Sequence, residues 1–208
     1  FGGYSYTIDG MLVGSNGSET NGFQLLKDAN VTLKNGTIIS SKLAKWGPTT
    51  PNAANATGAN IVIQNYSNLR LENITIDGDQ SAVTEGNPSA AYARYVLSNN
   101  NGNTVLTGNT NIIAAPGNYA FDVYGGWYPA YPSVTVTLDE NMTGTITGKI
   151  QVSNKQVAEP DNFKLSIKNG TIDGTIQDDR SAAQKGTYPK LNAVSGGSFT
   201  TDVSDYCE

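Results

Sequence analysis

Residues 34–40 read KNGTIIS and residues 168–174 read KNGTIDG, with a weaker version, ENITIDG, at 72–78. Each joins an Asn-centred bend to a short run in which apolar residues alternate. An Asn-Gly pair between alternating strands is a strong hairpin signal, and Asn-x-Thr is a glycosylation acceptor. Recurrence at a distance instead marks a repeat protein. Working outward, the same strand, bend and strand recur as YTI-DG-MLV from residue 6, LRL-EN-ITI from 69 and TVL-TGN-TNII from 104. VTVTL-DEN-MTGTI from 134, KLSI-KNG-TID from 164 and AV-SGG-SF from 193 complete the series with VTL-KNG-TII from 31. The bends fall near Asp9-Gly10, Asn35-Gly36, Glu72-Asn73, Gly108-Asn109, Glu140-Asn141, Asn169-Gly170 and Gly196-Gly197. Their separation, roughly 27 to 37 residues, is that of a solenoid.

Between successive bends lies one more alternating strand: FQLL at 23–26, IVI at 61–63, YVL at 95–97, AFDVY at 120–124, IQV at 150–152 and TIQ at 175–177. Three strands per turn predict a single-stranded parallel β-helix of about seven coils. A two-stranded unit could not by itself bury Val31, Leu33, Ile38, Leu69, Leu71, Ile74 and Ile76. Stacked coils bury them against their counterparts, at roughly 1.5 to 3 kcal/mol for each Leu or Ile. The bends need positive φ, which Gly takes freely and Asn tolerates, and stacked Asn side chains can form a hydrogen-bonded ladder. The competing architecture, a β-sandwich with Asn-Gly hairpins, does not account for the third strand. No long stretch has helical spacing; the strongest run, SAAYARYVLS at 89–98, is short and follows a proline.

The 208 residues suit one domain, with 1–22 as a partial rung or N-terminal cap and 23–208 as the solenoid. Only 15% of residues are charged and the formal net charge is -5, with no Lys/Arg stripe, so a nucleic-acid partner is not expected. The single cysteine, Cys207, forms no internal disulfide. No apolar run has the length of a membrane-spanning helix. Both ends read as cuts: no cap is legible at the C-terminus, and a neighbouring module of the same chain is expected there over a monomeric or weakly associating fragment.

Loops after the post-bend strand are long early (40–60, 78–94) and short late, whereas loops after the third strand are short early and long late (GGWYPAYPS, NKQVAEPDN, DDRSAAQKGTYPKL). Both sets border the third-strand face, and such insertions commonly build the binding face of a repeat protein. Asp122 alternates with inward Phe121 and Val123 and is expected to point outward beside Tyr124. Trp127, Tyr128 and Tyr131 follow in a loop stiffened by Pro129 and Pro132. They offer a stacking surface for sugars or an anchor for a protein, or else fold back over the sheet edge. Asp122, Tyr124, Trp127, Tyr128 and Tyr131 are the candidate ligand-binding residues.

Asp77 and Asp173 occupy equivalent places about three rungs apart, roughly 14 Å, too far for a glycosidic carboxylate pair. Asp77 with Asp79, or Asp178 with Asp179, could share a calcium ion or be solvated turn residues. Of the Asn-x-Ser/Thr triplets, those at Asn35, Asn73, Asn141 and Asn169 coincide with bends, where Asn and Thr are demanded structurally.

The blocks VTLKNGTI, GNYAFDVYG and TVTLDENMTGTITGKIQVS, with the closing GTYPKLNAVSGGSFTTDVSDYCE, resemble the coils of right-handed parallel β-helices of the pectin-lyase-like class. The likeness is greatest to large secreted, adhesin-like surface proteins of gut bacteria. It implies right-handed coils, an extracellular or cell-surface location and carbohydrate or host-protein partners. It also raises polysaccharide hydrolases and lyases. The hydrolases combine Asn-x-Asp, Asp-Asp and Gly-His-Gly, and this chain has no histidine. The lyases use an arginine base beside calcium-binding carboxylates, and only Arg70, Arg94 and Arg180 are present. Arg70 lies between Leu69 and Leu71 on the strand before the bend, a different face. The residues therefore fit a non-catalytic surface module without cofactor, binding glycans or host proteins or acting as a stalk. A carbohydrate-active enzyme with other catalytic residues is the alternative.

Overall fold

The computed structural model describes residues 2–7, 21–39, 61–78, 95–126, 133–155 and 162–207. It is an all-β chain whose strand pairings are all parallel. The unit of construction shows in β5 (Asn68–Asp77), where Leu69 and Leu71 are buried and Arg70 is exposed. At Asn73, with φ of 50°, the alternation slips by one residue, and Ile74 and Ile76 become the inward pair. One residue in the left-handed region thus turns a single strand across two faces. β3 (Asn30–Ile39) bends in the same way at Asn35, φ 56°.

Three tracks of parallel strands result. The first holds the N-terminal halves of β3 and β5, then β7 (Asn103–Thr107), β10 (Val134–Leu138) and β13 (Phe163–Ile167). The second holds β1 (Ser5–Thr7), the C-terminal halves of β3 and β5, β8 (Asn111–Ile113), β11 (Thr145–Thr147), β14 (Thr171–Asp173) and β16 (Ser198–Phe199). The third, paired as a separate sheet, holds β2 (Asn21–Leu25), β4 (Ile61–Asn65), β6 (Tyr95–Asn100), β9 (Tyr119–Gly125), β12 (Lys149–Asn154) and β15 (Ile176–Asp178). The chain passes from third to first to second track and round again, a parallel arrangement consistent with a solenoid. Each third strand expected from the sequence is present.

Apolar side chains stack in register between rungs: Ile38, Ile76, Ile112, Ile146, Ile172 and Phe199 form one column. The five isoleucines are all inaccessible to solvent, and burial of each contributes roughly 1.5 to 3 kcal/mol. Positive φ recurs at Gly108, Gly170 and Gly197, as the bends require. Glu140-Asn141 is solved differently. Met142 N donates to Asp139 O at 3.1 Å, closing a turn, and Asn141 N donates to Asp139 Oδ1 at 3.0 Å, so neither Glu140 nor Asn141 needs positive φ. Asp9-Gly10 and loops 40–60 and 79–94 lie outside the described residues, as does the first part of SAAYARYVLS, whose Tyr95–Ser98 portion is strand.

The expected Asn ladder exists, but chiefly at the corner between third and first tracks. Inside, Asn65 Nδ2 donates to Asn99 Oδ1 at 3.0 Å and to Thr104 Oγ1 at 3.0 Å. Outside, Asn68 donates to Asn30 and Asn103 to Asn68, both at 3.1 Å. Asn65 is wholly buried, so its Asn-x-Ser triplet is structural in the folded chain.

Residues 178–191, read as a loop, contain a helix, α1 (Ala182–Thr187), started by a capping box between Ser181 and Gln184. Leu191, Phe199, Val203 and Tyr206 pack half-buried on the core. Thr175 O and Asp179 N bond to β12, so the Ile176 and Asp178 carbonyls, one residue out of phase, face away from it. Tyr206 Oη donates to the first at 3.0 Å and Lys185 Nζ to the second at 2.5 Å, occupying acceptors that another strand would use.

Two outcomes test this packing. A Cβ at Gly174 would lie 1.8 Å from Gly148 O, whereas one at Gly117 meets nothing within 4 Å. In urea denaturation Gly174→Ala is expected to lose about 3 kcal/mol or more, and Gly117→Ala about 1 kcal/mol from its positive φ alone. The double variant Lys185→Ala, Tyr206→Phe is expected to self-associate in sedimentation at concentrations where the parent does not.

Candidate functional site

The third track presents its outward residues as rows, because in-register parallel pairing places equivalent positions one rung apart. One row runs Gln24, Gln64, Ser98, Asp122, Gln151 and Gln177. A second runs Tyr95, Tyr119 and Lys149, and a third Asn100, Tyr124 and Ser153. The Tyr95 and Tyr119 rings stack with centroids 4.8 Å apart and an interplanar angle of 15°. Lys149 Nζ lies 5.6 Å from the Tyr119 centroid, a cation–π contact. Tyr95 Oη reaches past the neighbouring rung and donates to Gln151 Oε1 at 2.7 Å.

Asp122 holds the centre. It alternates with buried Phe121 and Val123 as expected, but it is not the open outward carboxylate that alternation alone suggests: it is only 6% exposed. Ser98 Oγ donates to its Oδ2 at 3.1 Å, while Oδ1 has no hydrogen-bond partner among the described residues. Desolvation pushes the carboxyl up to about 7, against the opposing pull of the Ser98 hydroxyl and the Asn99 and Asp122 backbone amides. Burial thus favours the protonated carboxyl, and its Oδ1 is itself inaccessible to solvent, so the group lies beneath the face rather than on it.

Tyr124 is half-buried one rung from Asn100. Trp127, Tyr128 and Tyr131 lie outside the described residues, so the described aromatic side chains of this face are Tyr124 and the stacked Tyr95–Tyr119 pair. Sequence reading missed that pair, with Ser98, Lys149 and Gln151. The signal was available, since each occupies an outward position of a third strand, but it required aligning strands across unequal loops.

The proposed calcium pairs separate. Asp79 is outside the described residues, and Asp178 is bound by Arg180 through Nε at 3.0 Å and Nη2 at 2.9 Å. Asp179 accepts from Gln151 at 2.5 Å and from Gln177 at 2.9 and 3.0 Å. Among the described residues no three Asp, Glu, His or Cys are grouped to hold a metal ion. Arg70 is exposed and paired with Glu72 at 3.0 Å, Arg94 is outside the described residues, and Arg180 is buried. Asp77 and Asp173 are three rungs apart, through Ile113 and Thr147.

Comparison of the chain with family models, curated proteins and solved structures finds no match. Among the described residues no helix is long and apolar enough to cross a membrane.

The Asp122 carboxyl makes stability depend on pH with a definite sign. Its folded value, about 7, exceeds the ordinary 3.8, so the folded chain holds the proton longer. The resulting destabilisation is absent below pH 3.8, grows between 3.8 and 7, and levels off above at about 4 kcal/mol. Asp122→Asn is expected to raise the urea midpoint at pH 8 and leave it nearly unchanged at pH 3.5.

Proposed function

We propose that this chain is a segment of a right-handed parallel β-helix of about seven coils, belonging to a secreted or cell-surface protein, and that its third-strand face binds glycans. The single observation that carries the binding reading is Asp122. Its carboxyl lies just beneath the outward row, with Oδ1 inaccessible to solvent and Oδ2 held by Ser98, so it acts on a ligand by fixing the Ser98 hydroxyl and the polar row above it. The hydroxyl, amide and phenol groups around it are suited to the hydroxyls of a sugar, and the Tyr95–Tyr119 pair with Lys149 gives the face an amphipathic edge. The resemblance of the coil blocks to adhesin-like surface proteins supports location and partner class.

A carbohydrate-active enzyme is the second reading, favoured by the same carboxyl, whose proton affinity suits a general acid near pH 7. Incubation with a panel of neutral and acidic polysaccharides separates the two. The expected outcome is retention of glycan by the parent chain, weakened in Asp122→Asn, with no new reducing ends and no unsaturated products. Turnover that Asp122→Asn abolishes would establish the enzyme instead.

A further inference from the structure

The third-strand face continues around a corner into a groove of about 220 Å3. Its floor and walls include Tyr66, Asn68, Asn103 and Ser133, with Lys27 and Asp28 at one side. The link between face and groove is direct: Tyr124 pairs in register with Asn100, and Asn100 Nδ2 donates to Tyr66 Oη at 3.4 Å. The backbone between them is tied down, since Asn101 N donates to Tyr124 O at 2.9 Å and Gly126 N to Asn101 Oδ1 at 2.8 Å.

The amides beside the groove form a directional ladder. Asn68 Nδ2 donates to Asn30 Oδ1, and Asn103 Nδ2 donates to Asn68 Oδ1. The Asn103 side-chain oxygen Oδ1 in turn accepts from Ser133 Oγ at 3.2 Å and Thr135 Oγ1 at 3.0 Å. Each primary amide has two N–H groups, so each donating Asn spends one on the ladder and keeps a second that is unengaged among the described residues. Parallel pairing repeats these second donors one rung apart, about 4.8 Å. The exposed position of Asn68 and half-buried position of Asn103 leave the ladder open on its outer side. The Tyr66 ring adds an apolar wall. The charges flanking the groove, Lys27 and Asp28, have opposite signs.

We propose that this corner groove is a second saccharide subsite, taking a neutral sugar unit of the same glycan chain that the third-strand face holds over Asp122. The inference rests on the glycan-binding reading above. Neutral amide donors at rung spacing match oxygens along a sugar ring and discriminate little for charge, and the flanking ion types cancel. A polymer lying on the face over Asp122 and against half-buried Tyr124 reaches the groove by crossing Asn100 and Tyr66. A single sugar does not span both places.

The test is calorimetric titration of the whole chain with short and long neutral oligosaccharides, and with acidic ones of matched length. The variants are Asp122→Asn, the double variant Asn68→Ala, Asn103→Ala, and Ser133→Trp, which fills the groove and leaves both ladder amides in place. Loss of two amide contacts is expected to weaken long neutral chains about tenfold, with short chains unaffected, and Ser133→Trp should do the same. Equal binding of long chains by the parent, the double variant and Ser133→Trp, with Asp122→Asn still weakened, would overturn the groove and spare the face. Binding of acidic chains alone would overturn the neutral ligand class. Binding of no glycan by the parent would overturn both readings. Urea melts check that each variant is folded, and Ser133→Trp keeps the test decisive if the double variant is not.

Discussion

In-register stacking of inward side chains from rung to rung is the constraint on which the remaining structure depends. Parallel neighbours at fixed separation require that position n of one coil meet position n of the next. The Ile38 to Ile172 column satisfies this with one residue type over five rungs. Length can then vary only between tracks. Successive third-track strands are 24 residues apart from Tyr95 to Tyr119 and 40 apart from Asn21 to Ile61, yet both steps place partners one rung apart. Tight corners follow from the same rule. Where two coils nearly touch, as Gly174 over Gly148, no side chain fits.

The same stacking explains where polar groups can be kept inside. Asn65 and Asn99 are wholly buried, but their amides bond to each other, to Thr104 Oγ1 and to backbone carbonyls of Gly102 and Asn103. A buried amide with partners on the next rung offsets its desolvation, whereas a lone one would not. The repeat supplies those partners because coils align. Asp122 occupies the same sheet but receives only part of this support, through Ser98 on one neighbouring rung.

Most of the architecture was legible because it is local. Period-two alternation identifies strands, and Asn or Gly at the bends marks the slip in alternation that β5 shows at Asn73. Glu140-Asn141 escaped this reading because a turn closed by Asp139 does the same work without positive φ. Helix α1 escaped because six residues are too few for periodicity, although Ser181 and Gln184 carry its capping signature. The site was half legible. Alternation placed Asp122 and Tyr124 on the third-strand face, but the burial of Asp122 and the Tyr95–Tyr119 stack arise between segments more than twenty residues apart. Those contacts depend on loop lengths, which no residue pattern within one strand encodes.

Two acidic groups of the third track depart from ordinary behaviour, Asp122 at an outward position and Asp178 in register with inward Val152, and they show how far the enzyme reading can be carried. Burial acts to raise Asp178, but the hydrogen bonds and charge of Arg180, with the nearby Lys185, outweigh it and hold the carboxyl below its usual value. That is a structural ion pair, ending the third track beside α1. Asp122 has no cation to oppose its desolvation and goes the other way. Glycoside hydrolysis needs two carboxyl groups across the scissile bond. The next carboxylate along the face is Asp179, its backbone two rungs and two residues from Asp122, about 12 Å, with Gln151 and Gln177 amides donating to its oxygens. Among the described residues, then, the face has one carboxyl of unusual proton affinity and a second committed to hydrogen bonds within the sheet. This arrangement can recognise a hydroxyl or hold a proton more readily than it can divide the roles of acid and base, which is why binding is the stronger reading of the same geometry.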